Sequence, residues 1–242
     1  MTGTGGVVVT DEPRTDAERF HRFTSMTVHQ LREPVRMLSV YTEILRPQAE
    51  TQLGSEAVRS IEFLHKAALQ MQRLLDGLAE FAFATDRTER VRRKVRLDLA
   101  LRQVLLQMNA DIKSAEAKIS HDGLPAVWGD PDRVEMVFRH MIGNALRYRK
   151  ELTPEVEVSA KSDHDNWMIQ VSDNGPGVAA EFHEKIFEPY SRLHGSELPG
   201  NGLGLAVCRE IVEALGGKIW VESGPDGGAV FCFTVPRDGD LA

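Results

Sequence analysis

"VSDNGPGV", Val171 to Val178, closes a run of alternating side chains and then turns through Asp173, Asn174, Gly175, Pro176 and Gly177. A turn this rich in glycine lets backbone come close to a ligand, and the carboxylate of Asp173 can accept a hydrogen bond from an exocyclic amine. Alone, the turn reads equally well as a hairpin. The alternation before it, "WMIQVSD", marks a half-buried strand, as do "EVEVSA", "KIWVES" and "AVFCFTV". Helical patterns near Leu97–Ile112, Pro131–Arg149 and Leu203–Leu215 lie between the strands, so the second half of the chain is α/β. Its last two strands, joined by "SGPDGG", read as a hairpin.

Two further stretches extend this reading. "GNGLGLAV", Gly200 to Val207, opens a helix on three glycines, which puts free amide donors and the positive end of the helix dipole where phosphates could sit. "HMIGNALRYR" places His140, Asn144, Arg147 and Tyr148 at helical steps of three and four. An amide oxygen at Asn144 suits Mg²⁺, and Arg147 is a ready phosphate partner. No GxxxxGK[ST] occurs, so a Walker-type site is excluded.

The first half has a different period. From Thr15 to Arg46, apolar residues recur at steps of three and four through Phe20, Phe23, Leu31, Val35, Leu38 and Leu45, with Thr27 and Thr42 between them. "RPQAETQLGSE" reads as a connector, and a second stripe follows: Ile61, Leu64, Ala68, Met71, Leu75, Leu78 and Ala82. One helical hairpin cannot bury two such stripes, whereas two hairpins in a four-helix bundle can, so the expectation is a homodimer. The basic segment "ATDRTERVRRKVRLD" reads as a linker. The expected organisation is a flexible tail over 1–13, a dimerising hairpin over 14–88 and an ATP-binding domain over 94–238.

Composition narrows the function classes. A net charge of −7 argues against general nucleic-acid binding, and no apolar run is long enough for membrane insertion. The N-terminus lacks the form of a signal peptide, which points to a cytoplasmic protein. Cys208 and Cys232 lack metal-ligand spacing and read as buried small hydrophobes.

As a set, Asn144, "DNGPG", "IFEPYSRLH" and "GNGLGL" resemble, in order and spacing, the ATP-binding domain of sensor histidine kinases and related ATPases, over about Leu97 to Pro236. The resemblance implies a helical hairpin forming a dimeric four-helix bundle, then an α/β sandwich of the Bergerat type with a mixed sheet and helices on one face. It implies ATP and Mg²⁺ as cofactors. Asp173 would contact the adenine amine, with Gly175 and Gly177 in its turn. Asn144 would hold Mg²⁺, with His140, Arg147 and Tyr148 beside it. Gly200, Gly202, Leu203, Gly204 and Leu205 would shape the phosphate site. Phe187 and Tyr190 fall in the family's aromatic segment, and Arg192 could reach the γ-phosphate. His140 stands where the family often has a second Asn, and Asn201 where it has Thr or Ser, a change expected to be harmless.

With that domain present, "FTSMTVHQLREPVR" resembles the phospho-acceptor box of histidine kinases, in the H-x-L-x-E-P-x-R form of the phytochrome-like branch. His29 lies about 200° around the helix from Leu31 and so points away from the apolar stripe, on a face shared with Arg22, Ser25, Arg32 and Arg36. His21 and His65 lack these flanks and read as surface or packing residues. Pro34 frees the carbonyl of Gln30 and favours a kink there. The family's usual acid after the histidine is Gln30 here, which accepts a hydrogen bond but takes no proton. A neutral imidazole can still attack, without help worth roughly 10²- to 10⁴-fold. The implied function is a histidine kinase that phosphorylates His29, slowly, and passes the phosphoryl group to an aspartate of a response-regulator receiver domain. Glu33, where the family's dephosphorylation helper would stand, argues against strong phosphatase activity. The alternative is a nucleotide-binding pseudokinase or dimeric scaffold. The short segment before the first helix implies a separate or missing sensory domain.

Overall fold

The computed structural model describes residues 16–52, 54–86, 92–149, 153–193, 200–224 and 227–237. The expected tail over 1–13, Arg87–Val91 of the basic segment, and Pro225 and Asp226 of the last turn lie outside these residues, as do the side chains of Phe20, His21, Arg22, Phe23 and Ser25. Packing divides the chain into two units, Met1–Leu75 and Asp76–Ala242, and the division falls inside a helix.

The first unit contains α1 (Asp16–Gln52) and most of α2 (Ser55–Thr85). The expected connector is largely helical: α1 continues through both Pro34 and Pro47 to Gln52. Proline removes one amide donor, but the Gln, Ala and Glu that follow Pro47 are good helix formers and the remaining bonds carry the helix on. The apolar stripe also needs correction. Leu31, Leu38 and Leu45 are 47%, 52% and 46% exposed, while Val28, Val35, Ser39, Thr42 and Ala49 are buried. On α2, Ala68, Leu75 and Ala82 are buried, and Leu64 and Met71 are exposed. Each helix therefore carries two seams at seven-residue spacing, the closed one small or β-branched except at Leu75 and the open one made of larger side chains. Thr42 Oγ1 meets His65 Nδ1 at 3.0 Å, which gives His65 a packing role between the helices.

In the second unit five strands form a mixed sheet in the order β2 (Lys118–His121), β4 (Glu155–Asp163), β5 (Asn166–Asp173), β7 (Ala229–Pro236), β6 (Ile219–Ser223). Only β2 and β4 run parallel; the expected final hairpin is the antiparallel β6–β7 pair. A separate two-stranded sheet joins β1 (Arg93–Arg96) to β3 (Ala126–Gly129). The helix expected over Leu97–Ile112 breaks at Met108 into α3 (Leu97–Gln107) and α4 (Asn109–Ser114). Together with α5 (Pro131–Arg147) and α6 (Gly204–Ala214), α3 supplies one side of the core, including Leu101, Phe138, Ile142 and Ile211. Ile169 and Val171 of β5 supply the sheet side, in register with Phe233 and Phe231, and Phe138 meets Phe233 edge-on with ring centroids 6.4 Å apart. Cys208 and Cys232 are buried as expected, and burial pushes the Cys208 thiol up.

Asp76–Thr85, the last turns of α2, belong to this unit. Arg133 of α5, only 4% exposed, donates from Nη1 to Ala84 O at 2.7 Å and from Nη2 to Asp86 O at 3.0 Å, and its guanidinium lies 4.7 Å over the Phe83 ring. It thereby satisfies carbonyls at a helix end that have no partner within the helix.

Candidate nucleotide site

Asp173 ends β5, half-buried, and its Oδ1 accepts the amides of Gly175 at 2.8 Å and Ala229 at 3.3 Å. Its Oδ2 takes no hydrogen bond among the described residues. Burial pushes the Asp173 carboxyl above the ordinary aspartate range, although those two amide bonds favour the charged form. The turn depends on glycines that pack on one another. Gly177 has φ +74°, and a Cβ there would come within 2.7 Å of Gly227 O. A Cβ at Gly228 would overlap Asp173 O. Gly228 and the Ala229 amide were not identified from sequence, although "SGPDGG" held the signal. Asn174 ties the turn to the chain before β4, accepting from Glu155 N at 2.9 Å and donating to Thr153 O at 2.9 Å.

The end of α5 and the glycine turn come together. Asn144 Oδ1 accepts from Arg147 Nη1 at 3.3 Å, and Arg147 lies 5.9 Å over the Tyr148 ring. A Cβ on Gly200 would stand 3.6 Å from Arg147 Nη1 and 4.0 Å from the Tyr148 hydroxyl. One on Gly175 would lie 2.5 Å from Tyr148 O, and one on Gly204 would lie 2.9 Å from His140 Nδ1. Gly202 has φ +70°, and a Cβ there would run into the backbone of Tyr190. These glycines let the turn pack closely against α5 and the backbone of Tyr190, next to exposed Arg147 and the start of α6. Leu203 is buried and Leu205 half-buried, both packing the turn to the core.

Phe187 is not with them. It is fully buried, with the Arg209 guanidinium 4.9 Å over its ring and Arg209 paired to Glu184 at 3.0 Å. Its place is in the core, whereas Tyr190 is exposed. Arg192 is half-buried, at the edge of 194–199, which lie outside the described residues. In the other unit His29 and Gln30 are exposed, as are Arg32 and Arg36, and Arg36 Nη2 is paired with Glu33 Oε1 at 2.7 Å.

Residues 129–239 match the family of histidine kinase-, DNA gyrase B- and HSP90-like ATPases. The chain has the core of a sensor histidine kinase. The kinase core is 33% identical over 230 residues to cyanobacterial phytochrome A of Nostoc sp., 95% of this chain and 30% of that protein. It therefore spans about a third of the length of that relative. Two solved structures share the fold. Full-length ShkA in complex with AMPPNP has a TM-score of 0.68 at 24% identity, covering 91% of this chain and 47% of that one. The histidine kinase ThkA in complex with the response regulator TrrA has a TM-score of 0.62 at 18% identity, covering 93% and 65%. Among the described residues, no helix is long and apolar enough to cross a membrane.

Proposed function

We propose that the chain binds Mg-ATP in its second unit, phosphorylates its own His29 and passes the phosphoryl group to an aspartate of a response-regulator receiver domain. The observation that carries the reading is the exposed imidazole of His29, on an acceptor-type helix of a chain that also has the ATPase fold. Mg-ATP supplies the γ-phosphoryl group. Asp173 offers Oδ2 to the adenine amine, and Asn144 Oδ1 is the oxygen suited to Mg²⁺. Arg147, Arg192 and the amides of the Gly200–Leu205 turn hold the phosphates. The N–P bond forms at His29 as the bond from the γ-phosphorus to the bridging oxygen of ADP breaks, and the exposed ring sheds its proton to water because Gln30 cannot take it. The scaffold reading draws on that glutamine alone. Incubation with γ-labelled ATP and Mg²⁺ separates the two: acid-labile, base-stable label supports the kinase, and its absence supports the scaffold.

Asp173→Asn should weaken binding of a fluorescent ATP analogue by about tenfold or more, since it removes a charged acceptor, at little cost to the fold. Unchanged affinity would place the adenine elsewhere. The raised Asp173 pKa adds a pH signature. The folded state favours the protonated carboxyl, so acidification through that pKa adds stability while removing the charged acceptor. Nucleotide affinity should therefore begin to fall at a higher pH than an ordinary aspartate would dictate, which a pH series of titrations reads directly.

The open seams of α1 and α2, joined by Phe63 at 74% exposure, fit a second copy of the hairpin better than water. Sedimentation should show a dimer at micromolar concentration, and a monomer there would remove the argument for a bundle.

A further inference from the structure

We propose that the last turns of α2 form a strap, hinged at Arg133 and latched onto the glycine turn through Asn201 and His140, which the phosphates of a bound nucleotide release. The inference rests on the nucleotide-site reading above, and both sides of the latch lie in the second unit.

Gly77 is buried in the interior of α2, where alanine would favour the helix more, so its small size needs a packing reason. A Cβ there would overlap Asn201 Nδ2 and stand 2.7 Å from Asn201 Cγ and 3.1 Å from Leu203 Cδ1. The missing side chain is the notch that admits Asn201. Asn201 Oδ1 in turn accepts from Leu203 N at 3.1 Å, occupying an amide at the start of α6 that a phosphate oxygen would otherwise take. One turn further along the same face, Glu80 Oε2 lies 3.2 Å from His140 Nε2 and Oε1 lies 3.7 Å from Arg139 Nη1. The His140 ring rests against Gly204. Gly77 and Glu80 thus reach the two ends of the turn 201–204.

The partners on the domain side are the two places where these motifs depart from the usual form, His140 for asparagine and Asn201 for threonine or serine. The Asn201 replacement, expected to be harmless, meets a glycine shaped to receive it. Closed, the strap spends the Leu203 amide on the chain's own carboxamide and stands a carboxylate beside a turn built for anions. Phosphates compete for that amide and are repelled by Glu80, so binding and latching oppose each other, and linkage makes the opposition mutual. The Arg133 bonds to Ala84 and Asp86 lie at the far end of the strap and keep it attached when the latch opens.

The test compares the full-length chain with Gly77→Ala and Glu80→Gln, titrating each with a fluorescent ADP analogue and Mg²⁺. Both variants should bind about fivefold more tightly, at the lower end of usual couplings between sites. In wild type, hydrogen exchange of Asp76–Thr85 should quicken when Mg-ADP binds. Glu80→Gln preserves size and keeps the test valid should Gly77→Ala perturb folding. Wild type that binds nucleotide, with variants no tighter or with exchange unmoved by Mg-ADP, overturns the strap alone. Wild type that binds no nucleotide overturns both the strap and the nucleotide-site reading.

Discussion

Replacing His29 with alanine is expected to abolish acid-labile, base-stable labelling by γ-labelled ATP, while affinity for a fluorescent ATP analogue stays within about twofold, because the substitution removes the acceptor and leaves the nucleotide site intact. The other described histidines near the two functional regions are engaged. His65 meets Thr42, His140 packs between Glu80 and Gly204, and His183 Nε2 lies 3.0 Å from Val178 O. His29 is exposed on a face with Arg32 and Arg36 that can meet an incoming phosphate. Full labelling of His29→Ala would mean that the acceptor is another residue and that the resemblance of the helix is misleading.

Gln30→Glu should accelerate the same labelling, by roughly 10²-fold, the lower end of what a positioned general base contributes. Gln30 is exposed beside His29, so the new carboxylate enters solvent and threatens no packing. It would orient the ring and take its proton as the N–P bond forms. Nucleotide affinity should not move, since the substitution lies outside the second unit. Gln30→Ala, which loses even the amide acceptor, should fall below wild type. Equal initial rates for wild type and Gln30→Glu would show that the amide suffices and that the kinase is not impaired. Glu33 offers no substitute base: its carboxylate is held to Arg36, whose hydrogen bond and charge lower its pKa.

The parts of this architecture legible in sequence were those whose meaning is local. The glycines around Asp173 and those of "GNGLGL" declare a close approach of backbone wherever they occur, and the alternation in β5 and β7 declares a buried face. The seams of α1 were misread because Val28, Val35 and Thr42 sit three residues from Leu31, Leu38 and Leu45, and at that offset one broad stripe and two narrow ones look alike. The short strands β1, β2 and β3 have four residues each, too few to show a period. Phe187 lies in a motif-like segment, yet only the packed core determines whether such a ring faces a ligand or Arg209. Gly77 carries no local signal, since it is explained by a partner far along the chain.

The bond pattern at Arg133 bears on where this protein can be cut. A shortened chain beginning at Arg92, within the basic segment, would keep every described strand and the whole glycine turn, but it would discard Ala84 and Asp86, whose carbonyls receive the guanidinium, and the Phe83 ring below it. The cation would stay charged with two acceptors gone, so such a fragment would shed stability for reasons unrelated to nucleotide. Starting at Asp76 retains all three groups, so the end of α2 travels with the second unit rather than with the rest of its own helix.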